Sequence, residues 1–398
     1  MISRIALIAA AGLLLGAAMT PAMAADLGGG CCADLEERVA ELEATTARKG
    51  NRVVSLQIYG TVAKGLLIWD DGEESDAYVV DNDAITSVLG FKGSAKFKPG
   101  WSTGFKVELA VTDATSGAVS QFDDEGNPGT LSIRESYVYI ESERLGRVSL
   151  GQVLLPADGT AGVSIANTLY GSNADHSNNF DVLGSGAQVV DFANNFGPGR
   201  NDVIRYDSPS IYGFIASASW GDDDYWDVAL RFAKEWNSFK VAAAIGYANI
   251  DPQNGDPEDN LGFASEFITG SISVMHVPTG LFVNFGTGNK ELENSDGEGS
   301  FFFTQAGIER NWFGYGSTTL YGEYGLYEDQ LTLHPDEGAF DSSEATRWGV
   351  GVVQHFDSAA LDLYAQATFW EFEATDGDGD ALDLEDVSTI MIGAKIDF

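Results

Sequence analysis

The sequence predicts an all-β fold: a 16-stranded antiparallel transmembrane β-barrel with an inward-folded long third loop, preceded by a short N-terminal coiled-coil helix. Three observations lead to this prediction. The segment from Ser388 to Phe398 alternates strictly between apolar and polar residues and ends on an aromatic side chain. Similar alternating runs recur along the chain, and long acidic segments and very short turns separate them in turn. This arrangement is typical of a wall with lipid on one face and water on the other.

The N-terminal residues predict secretion. Arg4 precedes an apolar run from Ile5 to Met19, and Ala22-Met-Ala24 supplies a small-residue cleavage site, as in a secretory signal peptide. No later apolar stretch reaches the roughly 20 residues of a membrane-spanning helix. We therefore expect a signal peptide at 1–24, a periplasmic helical segment at 25–52, and a barrel at 53–398 in the outer membrane of a Gram-negative cell.

The segment 25–52 carries a short heptad pattern. Its seam residues are Cys32, Leu35, Val39 and Leu42, spaced 3, 4 and 3 residues apart. So short a coiled coil is marginal in water, but attachment to three copies of a barrel raises its local concentration. We expect a periplasmic trimer stalk, in which Cys31 and Cys32 are candidates for bridges between subunits. The alternative is an unpaired surface helix or a frayed leader.

Sixteen strand-like runs are predicted, an even number that returns both chain ends to the periplasm. Sixteen strands are wide enough to enclose an aqueous lumen. The runs are 53–69, 87–97, 101–112, 130–142, 147–154, 202–207, 213–221, 226–236, 239–248, 266–277, 281–287, 300–311, 318–327, 345–356, 360–372 and 386–398.

The charge balance excludes several functions. The chain has 60 acidic and 22 basic residues, a formal charge of −38, which argues against nucleic-acid binding. The 44% of hydrophobic residues, arranged with period two, argue against a disordered acidic chain. No Cys/His metal spacing, phosphate-binding loop or Ser-His arrangement is evident. We therefore expect no enzyme activity, no cofactor and no metal site.

The longest connection runs from Pro156 to Pro198, between the fifth and sixth predicted strands. So long a loop without structure is unusual in a compact fold, but a loop folded into the lumen would narrow a wide pore. Opposed charges on the wall and the loop would create a transverse field across the opening. The alternative is that these are ordinary solvated lumen charges. The candidate residues are Lys92, Lys106, Arg134, Arg200 and Arg205 on the wall, and Asp158, Asp175, Asp181 and Asp191 on the loop.

Several segments resemble a known family. The stretch from Cys31 to Arg52, followed by Val54-Ser-Leu-Gln-Ile-Tyr-Gly60 and Trp69-Asp-Asp-Gly72, resembles the start of the trimeric outer-membrane porins of alphaproteobacteria. The segments 134–139, 146–152 and 201–208 resemble those that bracket the third loop of general diffusion porins. The resemblance implies that Arg134, with Arg200 or Arg205, matches the wall arginines of the pore. The loop motif Pro-Glu-Phe-Gly-Gly of enterobacterial porins is absent, so which loop acids line the constriction stays open.

The resemblance implies a homotrimer that exchanges ions and small hydrophilic solutes passively. The other expected partners are outer-membrane lipid, lipopolysaccharide and the barrel assembly machinery, for which the terminal Phe398 is the candidate assembly signal. The alternatives are a substrate-specific channel and a structural or adhesive barrel that acts through its acidic outer loops. The net charge favours a weak preference for cations, whereas the basic lumen residues favour anions at the narrowest point.

Overall fold

The structure is a computed structural model that describes residues 53–126, 130–168, 179–221, 225–250, 265–292, 297–333 and 340–398. The predicted signal peptide and stalk, with Cys32, Leu35, Val39 and Leu42, lie outside the described residues, as does Asp175. No helix in the described part of the chain is long and apolar enough to cross a membrane.

A closed barrel of sixteen antiparallel strands confirms the predicted fold class. Each strand pairs with the next in sequence, and the last pairs with the first. The strands are β1 (Gln57–Asp70), β2 (in two segments, Ser75–Asp81 and Val88–Lys98), β3 (Trp101–Thr112), β4 (Thr130–Ser142), β5 (Gly146–Leu154), β6 (Arg200–Asp207), β7 (Phe214–Gly221), β8 (Trp226–Trp236), β9 (Phe239–Ile250), β10 (Ser265–His276), β11 (Leu281–Leu292), β12 (Glu298–Arg310), β13 (Thr318–Glu328), β14 (Phe340–Phe356), β15 (Leu361–Asp376) and β16 (Val387–Asp397).

The C-terminal residue completes the barrel closure. The backbone N–H of Phe398 donates to the carbonyl of Gly60, and the N–H of Gly60 donates back to Phe398, both at 3.0 Å. The edge of the Phe398 ring lies against Gly60, where an added Cβ would come within 2.3 Å of the ring carbon Cζ. Glycine at this position therefore leaves room for the Phe398 ring beside β1.

The second strand departs from the prediction. The segment 70–86 is the predicted acidic connection between the runs 53–69 and 87–97, but it contains the strand segment Ser75–Asp81. Both segments of β2 pair with the same edge of β1: Lys64 faces Asp81, and Thr61 faces Val88. Residues 82–87 leave the ladder between them. The strand was not predicted, because such a high density of acidic residues is typical of a solvated loop.

Alternation sorts the side chains between two environments. On β8, Val228 and Leu230 are exposed on the outer face, whereas Asp227 and Ala229 are buried on the inner face. The outer face also carries stacked aromatics, such as Trp348 on Phe369 with ring centroids 4.0 Å apart. Apolar side chains outside and polar side chains inside are the pattern required of a membrane barrel.

The connection between β5 and β6 contains a short hairpin (Asp181–Val182 with Ala187–Gln188) and the helix α1 (Val189–Phe192). A 3-10 helix at Gln330–Leu333 packs beside it. Aromatic contacts hold this part of the connection against inward-facing rings of the wall: Trp69 with Phe180 at 5.4 Å, Phe192 with Phe372 at 5.0 Å, and Phe196 with Phe301 at 5.5 Å between centroids.

Candidate channel constriction

The first part of the β5–β6 connection follows the inner wall through backbone hydrogen bonds. The N–H of Ala157 donates to Asp227 at 2.6 Å, that of Val163 to Ser271 Oγ at 3.0 Å, and that of Ile165 to Ser273 Oγ at 3.0 Å. These acceptors lie on β8 and β10 and face inward, opposite in parity to the exposed outer residues. Residues 157–165 therefore lie inside the barrel.

The connection then reaches strands farther round the barrel. The backbone N–H of Asn167 donates to Glu309 Oε2 at 2.7 Å, and its side-chain amide donates to Asp362 Oδ1 at 3.3 Å. Glu309 and Asp362 lie near the periplasmic ends of β12 and β15. The segment thus covers the inner side of the wall from β8 towards β15 and leaves β2 to β6 on the other side of the lumen.

A basic cluster lies on this other side, and carboxylates accompany it. Lys106 on β3 bridges Glu108, at 2.9 Å, and Glu135 on β4. Arg134 Nε lies 3.3 Å from Glu108 Oε1. Two basic and two acidic side chains therefore form one network. The two carboxylates reduce the net positive charge of this part of the wall.

A β-bulge explains how Arg134 and Glu135 both join this network. The register of β3 against β4 shifts between Glu108 and Leu109, so that Arg134 has no residue directly opposite it. Above the bulge Ile133 faces outward, and below it Val138 does. An extra residue in one strand reverses the alternation and turns two successive side chains inward. Alternation along the strand predicts that Arg134 faces the water-filled lumen, but it does not identify Glu135 as a second inward-facing residue.

Lys92 and Lys106 are cross-strand neighbours that share an aromatic partner. The Lys92 and Lys106 ammonium groups lie 4.9 and 5.9 Å from the ring centroid of Tyr59, and the Tyr59 hydroxyl donates to Glu108 at 2.7 Å. Such cation–π contacts stabilise a charge by about 0.5–1 kcal/mol at exposed sites. Lys92 is solvent-exposed, so its charge is available to passing ions.

The two arginines of β6 differ in their surroundings. Arg205 donates from Nε and Nη2 to Asp207 at 2.7–3.1 Å, and from Nη1 to the carbonyl of Leu154 at 2.5 Å. Arg200, at the start of the strand, has a buried Nε with no hydrogen-bond partner among the described residues. Arg205 therefore forms a close ion pair with Asp207, whereas Arg200 forms none with the described residues, although the Glu108, Glu135 and Asp158 carboxylates lie in its electrostatic environment.

Asp158 connects the two ends of the β5–β6 connection. Its carboxylate accepts the backbone N–H of Gly199 at 2.8 Å, and its backbone carbonyl accepts Nη2 of Arg231 at 2.6 Å. Burial raises the pKa of the Asp158 carboxyl, and the Gly199 N–H and the positive charges of Arg200, Arg231 and Arg134 oppose that rise. This carboxylate is thus the candidate loop acid with basic wall residues in its electrostatic environment.

Asp181 and Asp191 make contacts within the connection. Asp181 accepts from the Gln188 side chain at 3.3 Å, and Asp191 accepts the backbone N–H of Gln188 at 2.8 Å at the start of α1. Neither has an ion pair with a Lys or Arg of the described residues. Their role as constriction acids stays a prediction.

Sequence reasoning missed several members of the site. Arg231 lies on the water face by simple alternation, which was the available signal, but nothing in the sequence connects it with Asp158. Alternation along the strand also places Glu108 and Asp207 on the lumen face. Glu108 lies two residues after Lys106, and Asp207 lies two residues after Arg205. The described residues contain no group of three or more His, Cys, Asp or Glu side chains arranged to hold a metal ion.

Comparisons with known proteins agree with this architecture. A relative named Chitoporin, from Vibrio furnissii, is 27% identical over 206 residues, 50% of this chain and 50% of that protein. The chain thus spans about half the length of this curated relative.

Solved structures share the fold at low sequence identity. The anion-selective porin from Comamonas acidovorans has a TM-score of 0.57 and 17% identity, over 87% of this chain and 100% of that chain. The trimer form of OmpT from Vibrio cholerae has a TM-score of 0.57 and 13% identity, over 87% and 100%. Salmonella typhi OmpF, in complex with daunomycin, has a TM-score of 0.55 and 14% identity, over 88% and 99%.

The family assignment comes from a separate match. The profile of a family described as Gram-negative porin matches residues 6–375, most of the chain. Together with the closed sixteen-stranded wall and its polar interior, this match means that the chain belongs to the Gram-negative porin family.

Proposed function

We propose that this outer-membrane channel for passive diffusion is narrowed by the loop 156–198 against basic lumen residues. The observation that carries the proposal is the course of residues 157–167, which are hydrogen-bonded along the inner wall from β8 to β15. Ions and small hydrophilic solutes then pass between this segment and the cluster on β2 to β6.

The charges around this passage support screening by a transverse field. Asp158, on the loop, belongs to the same electrostatic environment as Arg134, Arg200 and Arg231. Fixed charges of opposite sign on two sides of a narrow opening orient dipolar solutes and exclude apolar ones, which lose hydration without compensation.

Conductance in a planar bilayer tests the proposal. Purified mature protein should insert and produce discrete current steps in groups of three, as expected for a homotrimer. A reversal potential measured across a salt gradient then gives the sign of the ion selectivity. Folded protein that gives no conductance would contradict the channel and would favour a structural or adhesive barrel.

A substrate-specific channel is the second candidate, favoured by the similarity to Chitoporin. Under this alternative, a chitin-derived oligosaccharide should block the ionic current in a saturable way. A non-diffusing polymer of similar mass serves as the control. For a general diffusion channel, small neutral sugars of equal size should reduce the current equally and without saturation.

We infer further partners from the family and the membrane setting. The trimer form of OmpT supports a homotrimer. Outer-membrane lipid and lipopolysaccharide would surround the apolar outer face, and Phe398 would serve the barrel assembly machinery as a terminal signal. The likeness of the N-terminal segments to alphaproteobacterial porins, and the trimer stalk at Cys32, Leu35, Val39 and Leu42, remain predictions.

A further inference from the structure

The interruption of β2 at residues 82–87 lies on the inner side of the barrel wall. Between the register pairs that flank it, these six residues stand opposite only two residues of β1, Val62 and Ala63. The outward side chain of Val62 is 43% exposed, whereas the inward Ala63 is completely buried. The surplus residues therefore cover the inner face of β1 and leave its outer face open.

The packing of the segment agrees with this direction. The side chains of Ala84 and Ile85 pack against the buried apolar cluster of the barrel interior. Asn82 is completely buried, and its N–H donates to the carbonyl of Ala63 at 3.1 Å. Residues 82–87 therefore form an inward-folded segment of β2 that occupies part of the lumen.

Hydrogen bonds hold this segment in one shape. Ser87 Oγ accepts the N–H of Ala63 at 3.0 Å, so that a side chain replaces the missing ladder partner. Ser116 Oγ, from the β3–β4 connection, accepts the N–H of Asp83 at 3.0 Å. Thr86 Oγ1 donates to the carbonyl of Asp83 at 3.2 Å, and Thr86 has a φ of 58°. A β-branched residue adopts this backbone conformation only where its surroundings enforce it.

The register places Asp83 close in height to the basic cluster. Val88, just after the segment, pairs with Ala110 of β3, and Ala110 pairs with Ser132 of β4, two residues before Arg134. In agreement, Arg134 lies in the electrostatic environment of Asp83. The Asp83 side chain is partly exposed and forms no ion pair with a Lys or Arg of the described residues. Its charge is therefore available to ions in the lumen.

We propose that Asp83 is a selectivity-determining residue of the channel, and that residues 82–87 form a second inward element of the constriction beside the loop 156–198. The inference rests on the proposed diffusion channel and adds an acidic residue that the loop does not supply. A carboxylate near Arg134 attracts cations and lowers the concentration of anions at this part of the wall. It thereby opposes the anion preference that the basic cluster alone would produce.

Reversal potentials of charge variants test the residue. Asp83→Asn in the full chain removes the charge at nearly constant volume, and the anion-to-cation permeability ratio across a potassium chloride gradient should rise by roughly twofold to fivefold. Asp83→Glu keeps the charge and should keep the wild-type ratio. The matched control is Glu143→Gln, which removes an exposed carboxylate from the turn between β4 and β5 and should leave the ratio unchanged.

A shortened variant tests the space that the segment occupies. Replacing residues 82–87 with Ser-Val leaves one residue opposite each of Ala63 and Val62, with the polar side chain inside and the apolar one outside. The single-channel conductance should rise, because the lumen loses four surplus residues, six less two. A folded variant that conducts no better than the wild type would show that this segment does not narrow the passage.

Arg200→Gln in the same recordings separates this inference from the proposed function. The role of Asp83 is overturned if Asp83→Asn leaves the permeability ratio unchanged, or if Asp83→Glu shifts it as far as Asp83→Asn does. If Arg200→Gln then still shifts the ratio, the constriction remains and only the role of Asp83 is rejected. Folded wild-type protein without conductance rejects both.

Discussion

At the scale of single residues, the two β6 arginines show that position on the wall does not determine electrostatic effect. Arg205 is held by both oxygens of Asp207, whereas Arg200 lacks a comparable carboxylate contact. A paired charge exerts little field at a distance, because its partner cancels it. Arg200 is therefore the residue of this strand expected to influence permeating ions most.

Replacing Arg200 by glutamine should shift the selectivity of the channel towards cations. A unit charge 4 Å from an ion contributes about 1 kcal/mol in water, so we expect the cation-to-anion permeability ratio to rise by roughly twofold to fivefold. The measurement is the reversal potential across a potassium chloride gradient. Arg310→Gln, at the periplasmic end of β12, is the matched control and should leave the potential unchanged. An equal shift in both variants would contradict a local effect.

At the scale of elements, the inner segment is held by hydroxyl groups of the wall. Ser271 and Ser273 of β10 accept the N–H groups of Val163 and Ile165. The two serines alternate along the strand, and their spacing matches that of two alternate residues in an extended segment beside it. The wall strand thereby fixes the path of the loop.

The double variant Ser271→Ala/Ser273→Ala should loosen this segment. Each buried N–H left without an acceptor costs about 1–3 kcal/mol, so the segment should leave the wall more often. Single-channel recordings should show more frequent brief closures than the wild type. Ser149→Ala, an inward and buried serine on β5, provides the control. Current traces identical to wild type in the double variant would show that these bonds do not hold the loop.

At the scale of elements, some features of the structure could be predicted from the sequence and others could not. Alternation and turn residues are local signals, and they suffice for sixteen strands and for the lumen-facing positions of Lys106 and Arg205. The bulge at Arg134 and the interruption at 82–87 depend on how two neighbouring strands pair, which no single strand encodes. For that reason Glu135 and the strand Ser75–Asp81 were not predicted.

At the scale of the whole molecule, the main feature is the distribution of the 60 acidic residues. Many lie at the outer ends of strands, where register places like charges side by side: Glu266 beside Glu291, Glu328 beside Glu344, and Glu344 beside Glu373. These carboxylates share the parity of the outward-facing residues, and at the outer rim their field would concentrate cations within a screening length of the channel mouth. The paired charges deeper in the lumen act only over short distances.

The contribution of the rim to selectivity should therefore depend on salt. The screening length falls from about 10 Å at 0.1 M to about 3 Å at 1 M ionic strength. At a constant concentration ratio across the membrane, the cation preference should decrease as the mean salt concentration rises. Reversal potentials at low and high salt measure this effect. A preference independent of salt would assign selectivity to the constriction alone.

The pairing of Phe398 with Gly60 also bears on how the protein folds. The hydrogen bond from Thr61 to Asp397 joins residues 336 positions apart in the chain, so the seam has one of the longest sequence separations a chain of this length allows. Contacts between distant residues form late, because the entropy of loop closure opposes them. Until they form, β1 and β16 are two unpaired sheet edges, the surfaces most prone to aggregation. Seam closure is therefore the step at which a chaperone or an insertion catalyst has the most to contribute.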